Sequence, residues 1–293
     1  MTNKLIKIYK LETPKLFRPR TQRFKYPKHN ADYGVEQDFE DYLIQNQHLV
    51  TLNIKEADFH YLPVYWTRWN LNNDYGNKGR FELQEICNDI IIDDSKTFTI
   101  CQYDDGPLAD LGKSIQFLSS RKGDNGYDIP LLSSHLSMPW FIPKKMYLAS
   151  FVGRLDTHPV RSQMNSILEN RPDILIKNRS SGTRSYVKSI LASYISLSPR
   201  GYGGSSFRTF ESMQLGVAPL LLGDLDTRPF KKYINWDDFS VYTNNPLELP
   251  GILEGFDKNT MIEMGKRAKH AFDSAFSYKK WEHYVIKTLM ELI

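Results

Sequence analysis

The chain has 293 residues, enough for one large or two medium domains with an ample core. A formal net charge of +4, with basic residues spread along the chain except for the run from Arg18-Pro19-Arg20 to Lys28, excludes a dedicated nucleic-acid footprint. The two cysteines, Cys87 and Cys101, stand in apolar contexts, which excludes a disulfide framework and implies a reducing compartment.

In chain order, residues 5–9 read as a first strand, and residues 12–30, with their prolines and basic residues, as a loop. Residues 32–47 carry Tyr33, Phe39, Leu43 and Ile44 at helical spacing. A strand follows at 58–65, then a polar and aromatic loop at 66–79 and a helix at 81–91. Residues 97–103 form a strand ending in the turn Asp104-Asp105-Gly106-Pro107, with short strands at 115–118 and 128–132. Residues 136–145, with Pro139 and Pro143, are the linker candidate. Beyond them come a strand at 146–152, a helix at 160–169, a strand at 173–177 and a helix at 183–191. The last strand is 239–242, and helices occupy 247–255, 259–272 and 278–293. Strands alternating with helices imply parallel sheets. No apolar run approaches the ~20 residues of a membrane span, and the lysine-interrupted start, residues 1–11, is not a signal peptide.

The richest stretch is Ser198-Pro199-Arg200-Gly201-Tyr202-Gly203-Gly204-Ser205-Ser206-Phe207-Arg208-Thr209-Phe210-Glu211. It reads as strand end, glycine-rich loop and helix start, with Ser205 or Ser206 as cap. Phe207 and Phe210 share one face of the helix; Arg208 and Glu211 share another. Gly216 ends the helix, and residues 217–222 form an apolar run suited to a parallel strand covered on both faces. A helix N-terminus presents N–H groups to an anion. Arg208 adds fixed charge for a diphosphate, and the Glu211 carboxylate would accept from vicinal hydroxyls such as those of a ribose. Together they suggest a nucleotide. The alternative is a glycine-rich turn bearing a surface Arg–Glu pair.

S-P-R-G followed by S-x-R-x-x-E, G-x-x-P and an apolar strand resembles the signature of the exostosin-like glycosyltransferases. The likeness extends through Asp224, Pro229-Phe230 and residues 234–241. Upstream it includes Glu56-Ala57-Asp58-Phe59, Leu62-Pro63-Val64-Tyr65 and Ser150-Phe151-Val152-Gly153-Arg154, so it spans roughly residues 55 to 270. Val217-Ala218-Pro219 departs from it, since the family commonly has a cysteine before the proline. The resemblance implies a GT-B fold, two Rossmann-like α/β domains whose parallel sheets face across a cleft. It implies residues 1–140 as an acceptor-binding domain, 141–275 as a nucleotide-sugar domain, and 276–293 as a helix returning to the first. It further implies inversion at the anomeric centre, a UDP-sugar donor, a glycan or glycoprotein acceptor, and no metal or other cofactor. Cellular exostosins carry an N-terminal Golgi anchor; this chain shows none, so a cytoplasmic location is expected. The greatest likeness is to compact members from large algal viruses, which points to UDP-xylose and a capsid N-glycan.

On this reading the nucleotide-sugar site comprises Arg154, Arg161, Arg200, Gly201, Ser205, Ser206, Arg208 and Glu211, with Arg208 and Arg154 stabilising charge on the departing UDP. Asp224-Leu225-Asp226 has the form of a metal-binding D-x-D but is explained by turn chemistry. An inverting transfer needs one base. Asp74 is the first candidate, with Trp66, Trp69 and Tyr75 as acceptor-binding neighbours; Asp104 and Asp105 follow, then Asp32 and His135, the last also an acceptor contact. His60 reads as a core histidine. A non-catalytic carbohydrate- or nucleotide-binding protein on the same fold stays open, and a nucleotide hydrolase lacks a P-loop.

Overall fold

Prolines and short apolar runs set the strand lengths, and the strands pair in parallel throughout the described residues. The structure, a computed structural model, describes residues 5–178 and 182–293. The chain divides into two compact units, Met1–Ile129 with Tyr278–Ile293, and Pro130–Ser277.

The first unit runs β1 (Ile8–Lys10), α1 (Val35–Gln45), β2 (Val50–Thr51), β3 (Phe59–Tyr61), α2 (Trp66–Asn72), α3 (Arg80–Ile90), β4 (Thr97–Cys101), β5 (Ile115–Leu118) and β6 (Tyr127–Asp128). The sheet order is β2-β1-β3-β4-β5-β6. β3 is shorter than the apolar run around it, because Pro63 has no N–H to give the ladder. Pro130 likewise follows close on β6, so the expected strand at 128–132 does not extend.

α2 corrects the loop expected at 66–79. Its polar residues concealed it, and two of them, Thr67 and Arg68, are buried and bonded to α1. Thr67 donates its N–H (3.1 Å) and hydroxyl (2.7 Å) to Glu36 Oε1, and Arg68 donates to Gln37 Oε1 at 2.6 Å. A helix wrapped in polar partners on a protein face shows no apolar stripe.

The second unit runs β7 (Tyr147–Val152), α4 (Pro159–Leu168), β8 (Ile174–Lys177), α5 (Thr183–Leu191), β9 (Ser193–Pro199), α6 (Phe207–Gln214), β10 (Ala218–Leu222), β11 (Val241–Thr243), α7 (Leu249–Glu254) and α8 (Lys258–Ala271). Its sheet order is β11-β10-β9-β7-β8. Every residue of β10 is buried, as its continuous apolar sequence requires. Gly216 closes α6 at φ 72°, a conformation that favours glycine. Phe210 on α6 packs edge-on to Trp236 and Phe276, seating the helix on the core. Residues 136–145 lie within this unit; Leu136 is buried, and its N–H donates to Gln214 Oε1 at 2.8 Å.

The last helix, α9 (Glu282–Met290), belongs to the first unit. Asp38 on α1 anchors it, accepting from Lys279 N and Trp281 Nε1, both at 3.0 Å. The buried Trp281 ring lies 6.0 Å from Phe39.

Candidate functional site

In an open parallel sheet a ligand sits beyond the carboxyl ends of the strands, where the strand order reverses. In the second unit that point falls between β7 and β9. β7 is followed by Gly153-Arg154, and β9 by the glycine-rich loop from Arg200 to Ser206. Topology therefore brings together two segments that the sequence separates.

Arg208 is the central group. It is 7% exposed, and Nη2 donates to the Val152 carbonyl. Its guanidinium carbon stands 4.3 Å from the Phe151 ring centroid and 5.6 Å from that of Tyr186. No carboxylate pairs with it, and Nε–H is buried without an acceptor, among the described residues. A buried cation is costly unless compensated. Aromatic faces supply part of the compensation; an anion would supply the rest. Gly153 makes the arrangement possible, since a Cβ there would lie 2.9 Å from Arg208 Nη2.

One turn on, Glu211 is buried on the same helix. It accepts from the Tyr186 hydroxyl and from Ser133 Oγ at 3.1 Å. Hydroxyl groups thus already satisfy this carboxylate, the kind of donor a ribose offers. Ser206 occupies the extended N-cap position of α6, but its side chain makes no capping bond. Ser205, Ser206, Thr209 and Arg200 line a cavity of about 10 Å³, room for one water. Thr209 Oγ1 is buried beside it without a partner among the described residues.

The other arginines are already engaged. Arg161 donates to the carbonyls of Arg200 (2.8 Å), Arg154 (2.9 Å) and Pro199 (3.2 Å). It clamps the loops after β7 and β9 together. Gly201 leaves it space, since a Cβ there would stand 3.0 Å from Arg161 Nη2. Arg200 pairs with Asp224 and donates to Gly203 O at 3.1 Å. Burial works to raise the Asp224 pKa, but the Arg200 hydrogen bond and charge win, and it lies below the usual carboxylate range. Arg154 is exposed and makes a bidentate pair with Asp156 at 2.9 and 2.8 Å, and that hydrogen bonding lowers the Asp156 pKa. Asp226, the other carboxylate of the D-x-D, pairs with Arg228 and Lys231. Among the described residues no cluster of three His, Cys, Asp or Glu side chains is placed to hold a metal.

The first-unit candidates scatter. Asp74 is exposed at φ 56°, and no side chain pairs with its carboxylate among the described residues. Tyr75 beside it is half exposed and stacks on Phe24 at 5.3 Å. Trp66 and Trp69 are core residues and do not face a ligand. Trp66 is fully buried, with Nε1 donating to Thr99 Oγ1 at 2.9 Å, and Trp69 stacks on Phe17 at 5.9 Å. They point inward because they sit on a helix, not on the open loop expected. Asp104 and Asp105 line a cavity of about 450 Å³ beyond β4, with Asp105 paired to Lys122. Asp32 pairs with Arg68. His60 is buried in the sheet, and desolvation lowers its pKa, holding it neutral. His135 lies in the second unit, exposed, on the segment whose neighbours Ser133 and Leu136 bond Glu211 and Gln214 of α6. Sequence reasoning missed Tyr186, Phe151 and Thr209 as site members. Phe151 alone had a signal, inside the motif that ends at Arg154.

Fold and site define a parallel α/β protein whose second unit sets, at its switch point, a buried guanidinium beside a carboxylate that accepts from hydroxyls. Residues 101–256 match the exostosin GT47 domain, over half of the chain, and the chain belongs to that family. Among solved structures, it is similar to TarM, with 8% identity over 73% of this chain and 57% of that one at a TM-score of 0.42. It is also similar to MurG of Acinetobacter baumannii, with 9% identity over 87% of this chain and 77% of that one at a TM-score of 0.37. The chain thus spans little more than half of the TarM chain. No helix among the described residues is long and apolar enough to cross a membrane.

Proposed function

We propose that the protein is an inverting glycosyltransferase that moves a sugar from a UDP-sugar to a hydroxyl of a glycan. The observation that carries this is Arg208, a buried guanidinium without a carboxylate partner among the described residues, at the switch point of the second sheet. Family membership supports the same reading.

The donor diphosphate would lie against Arg208 and the N-terminus of α6, with the ribose hydroxyls at Glu211. As the acceptor oxygen bonds to the anomeric carbon, the bond from that carbon to the diphosphate oxygen breaks, and its electron pair leaves with UDP. Arg208, fixed by Val152 O and two rings, meets that developing charge without rearranging. In this reading it does the work that a metal does elsewhere. The acceptor proton needs a base, and the candidates are the carboxylates that the sequence suggests. Asp74, unpaired among the described residues, is the leading choice, and Asp104 is the next. UDP-xylose as donor and a viral capsid glycan as acceptor rest on the sequence resemblance alone.

Calorimetry with UDP and a panel of UDP-sugars, with and without chelator, tests the assignment. Chelator-insensitive binding of one UDP-sugar that Arg208→Ala abolishes is the expected result. Full binding in that variant would refute it. Binding without turnover, unchanged in Asp74→Asn and Asp104→Asn, would instead identify a non-catalytic binding protein.

A further inference from the structure

The loop that enters the second unit's sheet carries an apolar tip that the nucleotide site does not use. Residues 138–146 read M-P-W-F-I-P-K-K-M and lead straight into β7. Both ends of the loop are pinned. Leu136 is buried with its N–H on Gln214 Oε1, and Met146 N donates to Ala192 O at 2.7 Å. Lys145 Nζ adds a bond to Ser193 O at 2.6 Å. Between these anchors, residues 137–144 make no hydrogen bond among the described residues. Pro139 and Pro143 restrict the backbone there without needing donors. At the tip Trp140 is 100% exposed and Phe141 86%, with Ile142 and Met146 exposed beside them. A single exposed apolar side chain is ordinary, but a contiguous group led by two aromatics is not. The other tryptophans, Trp66, Trp69, Trp236 and Trp281, are all buried.

Cations surround the tip. Lys144 is exposed and pairs with no carboxylate among the described residues. Lys145 and Lys258 both stand over the Tyr194 ring, at 5.9 and 5.6 Å from its centroid. Burial pulls the Lys145 pKa down to about 8, so its ammonium is poorly solvated and an anion alongside would stabilise it. The carboxylates on adjoining turns are occupied: Arg171 holds Asp173 and Glu254, and Asp257 caps α8. The tip stands at the amino end of β7. Gly153-Arg154 follow its carboxyl end, about 20 Å away by the rise of its 6 residues.

We propose that this tip inserts into the headgroup region of an anionic lipid bilayer. Trp140, Phe141 and Ile142 enter the interface, and the ammonium groups of Lys144, Lys145 and Lys258 meet acidic headgroups. Shape favours lipid over protein. A side chain open on every side is covered fully by a medium that flows around it. The proline-broken backbone offers a partner neither a strand edge nor a helix face. Charge disfavours a second copy, because pairing two such tips would bring their lysines together. Binding through this end leaves the nucleotide site open, and the inference does not depend on what that site binds.

The test uses the whole chain and a flotation assay with vesicles of phosphatidylcholine, with and without phosphatidylserine. The mixed vesicles should carry the protein upward at low salt and release it as salt rises. Neutral vesicles should bind it at least about tenfold less tightly. Trp140 is the one exposed tryptophan among the described residues, so bound protein should show blue-shifted emission shielded from acrylamide. That shift should vanish in Trp140→Phe. Trp140→Ala/Phe141→Ala should lower vesicle affinity about a hundredfold, and Lys144→Ala about fivefold. The melting temperature and UDP affinity should stay unchanged in all three variants. The proposal is overturned by a lack of binding to the mixed vesicles or by equal binding to the neutral ones. Unshifted emission on binding overturns it too, as does undiminished binding in the double variant. A concentration-dependent dimer in sedimentation, lost in the double variant and unaccompanied by vesicle binding, assigns the tip to a second copy and likewise overturns it.

Discussion

Replacing Arg208 by methionine separates a binding role from a structural one. Methionine keeps most of the length and the contact with Phe151 and Tyr186 but removes the charge. On the stability side the terms oppose each other. The variant loses the donor to Val152 O and a cation–π contact of about 2 kcal/mol, but it relieves a buried guanidinium that lacks a counter-ion among the described residues. The net change in unfolding free energy should stay within about 2 kcal/mol, and stabilisation is a permitted sign. On the binding side nothing compensates. Two charge-assisted hydrogen bonds to a diphosphate are worth about 1.5–3 kcal/mol each. UDP affinity should therefore fall at least about a hundredfold. Urea unfolding followed by circular dichroism gives the first quantity, and calorimetric titration of UDP the second. A variant that loses several kcal/mol of stability while keeping its UDP affinity would show that Arg208 is a core prop, and the reasoning would fail.

Four further outcomes follow from the packing. Gly153→Ala places a Cβ 2.9 Å from Arg208 Nη2, so UDP affinity should drop about tenfold with little change in unfolding free energy; unaltered affinity would mean that the guanidinium moves freely. Glu36 Oε1 accepts from the backbone N–H groups of Thr67 and Gln102, so Glu36→Ala should cost on the order of 3 kcal/mol, read as a lower urea midpoint at constant slope. Glu282 is a case of pH linkage. Its Oε2 is buried without a donor beside Asp38, and burial first, then Asp38, pushes its pKa up to about 9. A raised acid pKa gives stability that is complete below the unfolded value and is lost as pH rises through the folded one. Glu282→Gln should thus match the parent near pH 4.5 and exceed it by roughly 3 kcal/mol at pH 7, with the gap widening toward pH 9; a gap independent of pH would show that the carboxyl is ionised in the folded state. Finally, Arg161→Lys leaves one donor group where three carbonyls are held by a fork, so protease cleavage in the glycine-rich loop should accelerate; an unchanged cleavage rate would remove its role as a clamp.

Local pattern alone determined a good deal here. The apolar run of β10, the three-residue spacing on α6 and Gly216 as its terminator are statements about nearest neighbours along the chain, and they stand in the structure at those positions. The alternation of strands and helices carried the parallel pairing with it. Other features depend on groups far apart in sequence. α2 looked like a loop because Thr67 and Arg68 find their partners in Glu36 and Gln37, some thirty positions upstream. That burial carried Trp66 and Trp69 into the core and away from any acceptor. Arginines that look alike on paper became different objects in space. Among the described residues, Arg161 met three carbonyls, Arg200 and Arg154 met carboxylates, and Arg208 met only rings and one carbonyl. A sequence shows which side chains carry charge. Which of those charges is left uncompensated depends on the partners that folding brings within a few ångströms, and so only the tertiary structure decided it.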